Sequence, residues 1–333
     1  MVAGDSNQRV IVGSLVILAT LAIGVALSVM RPVLVPLTLA LLVTYTLAPL
    51  VDGLARLRVP RVLGVLVALA LVAGLAFLLG LLIASSVNQV AERGPEYQQR
   101  LVAFGNSLLD WARARGLPLE DVSLQERLAA LPLTSMILGS LNQVLASVST
   151  LLLVLVFVFF LMSGRHQDGP REGVWVEIDR RINRYLIVKV ASSTVTGLLT
   201  WLVLWLIGLD LAVVFGLLAF VLNFIPSLGS IIAVVLPLPV ALVQFGTSVE
   251  TLLVLAVPAL IQMTIGTVIE PRIAGQALSL HPVTVLLSLI FWGILWGLPG
   301  MFLAVPVTAV IKIILDRIEA TRTFGALLEG RRP

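Results

Sequence analysis

Residues 211–249 read LAVVFGLLAFVLNFIPSLGSIIAVVLPLPVALVQFGTSV, thirty-nine positions without a formal charge. As one unbroken helix at ~1.5 Å per residue the run would extend about 58 Å, nearly twice the hydrocarbon thickness of a bilayer. It carries its own interruption, Ile225-Pro-Ser-Leu-Gly229, near the middle. There proline removes an amide donor and clashes with the preceding turn, while glycine permits a reversal. Residues 273–311 form a second uncharged run of thirty-nine, broken at Leu298-Pro-Gly300. The legs before the two breaks, Leu211 to Ile225 and Val283 to Leu298, correspond to roughly 22–24 Å of helix, short for a crossing. The pattern predicts helical hairpins at 211–249 and 283–315 that enter the bilayer and return to the side they came from.

The rest of the chain sets these hairpins in a membrane. It is 59% hydrophobic and only 12% charged, outside the range of soluble globular domains. Charge-free runs at 10–30, 32–51, 62–91, 128–164, 190–209 and 251–269 each suit a crossing helix. The expected fold is therefore an all-α polytopic membrane protein with six full transmembrane crossings plus two opposed Pro/Gly-broken hairpins. The first run exceeds the length of a signal-peptide core, and a second span follows at once after Arg31-Pro32, so it reads as retained. Placing the amino terminus inside puts sixteen of the twenty-two basic residues on one face, which favours both termini in the cytoplasm of a cell whose inner membrane holds the chain.

Several functions are excluded by composition. Cysteine is absent, so disulfides and thiolate metal sites are too, and two histidines do not suggest zinc. The chain has no Gly-x-Ser-x-Gly elbow and no His-Glu-x-x-His, and neither Lys189 nor Lys312 sits in a phosphate-binding loop. An enzyme, a metal site and a bound cofactor are not expected. The net charge of +4 does not point to nucleic acid, because basic residues of such chains belong to cytoplasmic loops.

Five segments follow. Residues 1–87 hold three spans that would form a scaffold. Residues 88–148 read as an extracytoplasmic helical cap, with Tyr97, Leu101, Phe104, Leu108 and Trp111 at helical spacing and a capping box at Ser123-Leu-Gln-Glu126. Residues 149–189 give one span and a basic amphipathic helix started by Asp168 and Pro170, with Val174, Ile178, Ile182 and Tyr185 on one face. Residues 190–316 form the transport core, and 317–333 a cytoplasmic tail. By parity the first hairpin opens outside and the second to the cytoplasm. Opposed interrupted segments of this kind are the sequence mark of a transporter's solute site.

Candidate residues cluster at the breaks. Asn223, Pro226, Ser227, Gly229 and Ser230 surround the first, where irregular backbone at membrane depth must be buried in protein or line a wet cavity. Gln262, Thr264 and Thr267 on the following crossing would face that break or hydrogen-bond between helices. Pro299 and Gly300 mark the second. Ile269-Glu-Pro-Arg272 closes an uncharged run of nineteen residues. There Glu270 and Arg272 would pair or hold solute at the cytoplasmic mouth, with Pro271 biasing Glu270 away from helical geometry. The duller role is an interfacial ion pair that pins a helix end. Glu270 and His281 are candidates for proton coupling, with a helix-cap role favoured for His281. Gly293 and Gly297 have the spacing of a close helix contact.

The stretches Asn223-Phe-Ile-Pro-Ser-Leu-Gly229, Ile269-Glu-Pro-Arg-Ile-Ala-Gly275, Leu280-His-Pro282 and Gly297-Leu-Pro-Gly-Met-Phe-Leu-Ala-Val-Pro306 resemble the signature blocks of the AI-2E family of transporters. Arg31-Pro32 and Ala48-Pro-Leu-Val51 fit as well, so the resemblance extends over about residues 8–320. It implies a bacterial or archaeal inner-membrane permease without ATPase parts. Members are associated with export of the signal autoinducer-2, others with exchange of sodium or lithium for protons. On this resemblance the blocks, Gly275 among them, belong to the transport pathway. The chain departs in using Arg almost to the exclusion of Lys, and it lacks any intramembrane acid other than Glu250, Glu270 and the boundary residue Asp210, which weighs against cation exchange through several carboxylates. The expected function is a secondary permease that exports a small polar solute such as autoinducer-2 by alternating access. The alternatives are a sodium (lithium)/proton antiporter and a non-transporting membrane scaffold. Expected partners are the lipid bilayer, the solute, a proton or sodium ion, and further copies of the chain in a homo-oligomer.

Overall fold

The computed structural model describes residues 2–115, 133–164, 174–274 and 280–330. The Ser123–Glu126 capping box, the Asp168 and Pro170 start signal, and Gly275 lie outside the described residues. Among those described, every regular element is a helix. They are α1 (Val2–Val29), α2 (Arg31–Arg56), α3 (Arg61–Ala114), α4 (Leu133–Gly164), α5 (Val174–Ile207), α6 (Ala212–Leu222), α7 (Leu228–Val235), α8 (Leu238–Phe245) and α9 (Val249–Met263). A π-helical segment, Thr264–Ile269, leads into α10 (Glu270–Ala274), followed by α11 (Pro282–Trp296), α12 (Leu298–Arg317), a 3-10 turn at Glu319–Thr321 and α13 (Arg322–Glu329).

Among the described residues, six segments are long and apolar enough to cross a membrane: Arg31–Arg56, Arg61–Leu81, Val176–Ile207, Leu228–Phe245, Val249–Ile273 and Leu298–Arg317. Ala212–Leu222 and Pro282–Trp296 are shorter apolar helices, while Gly13–Val29 and Ser149–Gly164 are apolar stretches within the longer α1 and α4. The chain is thus an all-α polytopic membrane protein, as expected. In each broken run the second leg is long enough to span, and the first leg is the short one. Side chains such as Leu21, Phe77, Trp205, Leu252 and Ile294 are exposed, as an apolar surface bathed in lipid requires.

Two helices run on past the ends of their apolar stretches. The polar residues after Ala91 end an apolar run without ending a helix, so α3 continues into the stretch expected as a separate cap and reaches ~81 Å over its 54 residues. The basic amphipathic segment and the next span are likewise one helix, α5. Ile178 and Ile182 are buried on its apolar face.

The chain divides into two compact units. One comprises Met1–Arg58, Leu151–Asn183 and Leu278–Pro333. Within it α11 and α12 pack together across a one-residue connection, Gly297, whose φ of +68° suits glycine. Pro299 occupies the first turn of α12, where its missing N–H costs nothing. Gly300 lies against the Trp292 carbonyl with no room for a Cβ. Trp292 donates to Thr308 Oγ1 at 3.1 Å and Trp296 to the Leu27 carbonyl at 3.0 Å, so indoles fill this break. Helix α13 is fastened below by Thr284 Oγ1, 2.9 Å from the Leu328 carbonyl it donates to, and by Lys312, which meets Asp316 at 2.9 Å and Glu329 at 3.2 Å.

The other unit comprises Val59–Thr150 and Arg184–Ala277. Its core gathers Leu204, Leu209, Ala212, Phe215, Ala241 and Val254 from α5, the α5–α6 link, α6, α8 and α9. Gly197 of α5 and Gly216 of α6 sit so close to each other's backbone that neither position has room for a methyl group. Small residues at a helix crossing serve this close approach in membranes. The contact carries the end of α6 to α5, where the candidate site lies.

Candidate functional site

Helix α6 has eleven residues, or ~16 Å, before its regular bonding fails. Phe224 and Ile225 donate three residues back, to the Val221 and Leu222 carbonyls, which tightens the last turn. Pro226 then has no N–H to give. Ser227 adopts φ +61° and ψ −57°, and Leu228 N–H donates to the Pro226 carbonyl at 2.7 Å. These values define the γ-turn with positive φ, a rare and strained form for a residue with a side chain. Gly229 follows, seated against the Leu222 carbonyl in a space no Cβ would fit. The chain thus turns back and α7 packs along α6.

Strain of this kind costs of the order of 1–3 kcal/mol. Ser227→Gly should relieve part of it and raise the thermal midpoint of the detergent-solubilised protein, whereas Ser227→Val should lower it. A midpoint that fell with glycine would show that the turn is not strained as described.

Beside the turn is a cavity of about 510 Å³ lined by residues of α5, the α6–α7 turn, α7, α9, the π segment and α10. Asn223, 3% exposed, donates through Nδ2 to Ser193 Oγ at 3.0 Å and so ties the break to α5. Pro226, Ser227 and Ser230 line the wall formed by the turn and the amino end of α7. Gln262 projects from α9 and is 5% exposed, and neither its Oε1 nor its Nε2 has a hydrogen-bond partner in the structure. Buried polar atoms are nearly always paired, because leaving one unpaired costs roughly 1–3 kcal/mol.

The charged part of the lining is an ion pair. Lys189 Nζ lies 2.6 Å from Glu270 Oε1, with Ser192 Oγ 3.3 Å from the other carboxylate oxygen. The two side chains are 6% and 18% exposed. Glu270 therefore has a partner other than the Arg272 expected from sequence, and Arg272 and Pro271 are exposed. The expected departure of Glu270 from helical geometry is also corrected: its φ is −58° and its ψ −48°. The π segment explains this. Wider winding lets Glu270 N–H reach back five residues to Ile265, and it resets the register just where Pro271 would clash with an α-helical turn.

Of the residues expected from sequence, the cavity gathers Asn223, Pro226, Ser227, Ser230, Gln262, Thr267 and Glu270. Gly229 shapes the turn behind it. Thr264, Pro271, Arg272, Pro299 and Gly300 are not in the lining. His281 stands at the amino end of α11, where its Nδ1 accepts the Val283 N–H at 3.3 Å. Lys189 was missed, although one signal was available: it and Lys312 are the only lysines in an arginine-rich chain. Both are buried and ion-paired. Arginine keeps its charge anywhere, whereas lysine is the basic side chain that can give up its proton in a buried site.

Comparison with known proteins agrees with this architecture. The sequence profile of the AI-2E family transporters matches residues 15–320. The AI-2 transport protein TqsA of Escherichia coli (strain K12) is 35% identical over 308 residues, which cover 89% of each chain. YhhT of the same strain is 31% identical over 316 residues, 90% of this chain and 89% of that one. A protein of Borreliella burgdorferi is 28% identical over 319 residues, 92% of this chain and 87% of its own. Polytopic helices and a match over nearly the whole length lead to one conclusion: this chain is a multi-pass inner-membrane protein that belongs to the AI-2E family of transporters.

Proposed function

We propose that the chain is a secondary permease in which the cavity beside the α6–α7 turn takes a small polar solute and exposes it alternately to the two faces of the membrane. Autoinducer-2 is the candidate solute, from the name of TqsA, and export the direction. Residues 190–316 are the transport core on this reading, with both termini in the cytoplasm as the distribution of arginine favours. Helix α6 is too short to cross, so the turn after it falls at bilayer depth, where open peptide groups need a hydrated pocket.

The observation that carries the proposal is the cavity itself, a space of solute size beside a broken helix whose lining includes buried Asn223 and the Lys189–Glu270 pair. Exchange of sodium for protons has less support, because the carboxylate in the cavity already holds Lys189 and a cation would have to displace it. Efflux of autoinducer-2 from proteoliposomes, with pH and sodium gradients varied separately, tests the reading. Gln262→Leu and Asn223→Ala should each lower the flux at least tenfold while leaving the helical content intact. Unchanged flux in both variants would place the pathway elsewhere.

A further inference from the structure

The cavity beside the α6–α7 turn has two unlike ends. Helices α7 and α8 form one apolar segment, and α9 returns along it after a short link at residues 246–248, where Thr251 Oγ1 donates back to the Gly246 carbonyl at 2.7 Å. Helices α7 and α9 therefore run in opposite directions. Along α7 the lining passes from Ser227 and Ser230 to Ile231, Val234 and Val235. Along α9, the π segment and α10 it passes the other way, from Ala259 and Met263 to Thr267 and Glu270. The hydroxylated ends meet, and so do the apolar ones. Lys189 and Glu270 belong to the hydroxylated end, and their contact at 2.6 Å leaves its charge balanced. At the other end Ile231, Val235 and Met263 are exposed, so the protein leaves their apolar surface uncovered.

Between the two ends lies Gly266. Ala259, Met263, Gly266 and Glu270 fall at helical spacing and share one face, which sets the Cα of Gly266 on the cavity wall. A Cβ there would meet no atom within 4 Å, and the φ is not positive. Neither packing nor backbone conformation asks for glycine at this position, in contrast to Gly229, and glycine weakens a helix relative to alanine. What the missing side chain keeps open is the middle of the cavity.

We propose that the cavity binds a small neutral amphiphile, its hydroxyl-bearing head among Ser227, Ser230 and Thr267 and its short alkyl part against Val235, Ala259 and Met263, and that Gly266 sets how long that alkyl part can be. This rests on the reading of the cavity as the solute pathway. A charged head is disfavoured, because Lys189 and Glu270 already satisfy each other and an added charge at bilayer depth has no partner. A guest without hydroxyls leaves the polar end unmatched, and one without an alkyl part forgoes the burial that the other end offers. A side chain at position 266 would stand between the two ends and shorten the space beyond the head.

Equilibrium dialysis of radiolabelled 1,2-propanediol and 1,2-hexanediol against the full-length protein in lipid nanodiscs, with uptake by empty nanodiscs subtracted, tests the proposal. The hexanediol should bind at least tenfold more tightly than the propanediol, since each fully buried methylene is worth roughly fourfold. Hexanoate and hexylammonium, of the same length, should bind at least tenfold more weakly than the hexanediol. Gly266→Leu should bind the propanediol as the wild type does and lose the hexanediol at least tenfold. Gly266→Ala should melt at a higher temperature than the wild type and lose part of the hexanediol affinity, and it decides if Gly266→Leu does not fold. Equal hexanediol binding by the wild type and both variants would overturn the proposal and leave the apolar end to a lipid chain. Hexanoate binding as tightly as the hexanediol would overturn it as well. If the preference for hexanediol is absent while Asn223→Ala loses autoinducer-2 efflux, the amphiphile site falls and the permease stands. Hexanediol binding that depends on Gly266, with efflux indifferent to Asn223→Ala, would keep the site and remove its transport role.

Discussion

Lys189→Met is expected to abolish solute flux and to destabilise the protein. The substitution preserves the length of the side chain but strips Glu270 of its partner at 2.6 Å, leaving a carboxylate that is 18% exposed with no counter-charge. Loss of one member of a fully buried pair costs about 3–5 kcal/mol, and the residual exposure of Glu270 places the expected loss near the lower end, of the order of 3 kcal/mol. Thermal melts in detergent would read this as a fall of several degrees. The double variant Lys189→Met with Glu270→Leu separates structure from function. With both charges replaced by apolar groups the melting temperature should recover, because no unpaired charge remains, while flux should stay absent. Recovery of both would reduce the pair to a fastener between α5 and α10.

Gly229→Ala is the second large effect. The added methyl would fall on the Leu222 carbonyl, which is backbone and cannot swing aside as a side chain can. Either α7 moves off α6 or the γ-turn opens, and overpacking of this kind costs typically ~1–3 kcal/mol. Because the turn forms the cavity wall, flux should fall at least tenfold even though Lys189 and Glu270 are untouched. Gly74→Ala is the control, since nothing lies within 4 Å of a Cβ there. Its flux and melting temperature should match those of the wild type. Normal transport by Gly229→Ala would mean that the close seat of α7 on α6 is dispensable.

The sequence was most legible where the physics is local. Pro226 and Gly229 announce a break because one lacks a donor and the other lacks a side chain, and α6 does end four residues before that proline. Length and charge were enough for a polytopic helical chain. Helix limits were less legible: the onset of charge at Glu92 ends lipid contact and says nothing about backbone bonding, which is why α3 outruns its apolar stretch. The pairing of Glu270 was not legible at all. Arg272 is two residues away and Lys189 is eighty-one away, yet residues two apart on a helix point to different sides. Only the fold, which sets Lys189 of α5 beside the start of α10, brings the lysine to the acid. The helical state of Glu270 was hidden for a related reason, since a local rule about the residue before proline is overruled by a π segment that proline's own neighbours do not reveal.

The most direct test of the central claim, that solute reaches the cavity beside the α6–α7 turn from both faces, uses the absence of native cysteine. Ser230→Cys places a single thiol in the cavity wall. A membrane-impermeant maleimide applied separately to right-side-out and inverted vesicles should label it from both faces, and autoinducer-2 should slow the labelling. A thiol that stays unlabelled from both faces, in a variant that still transports, would contradict the account.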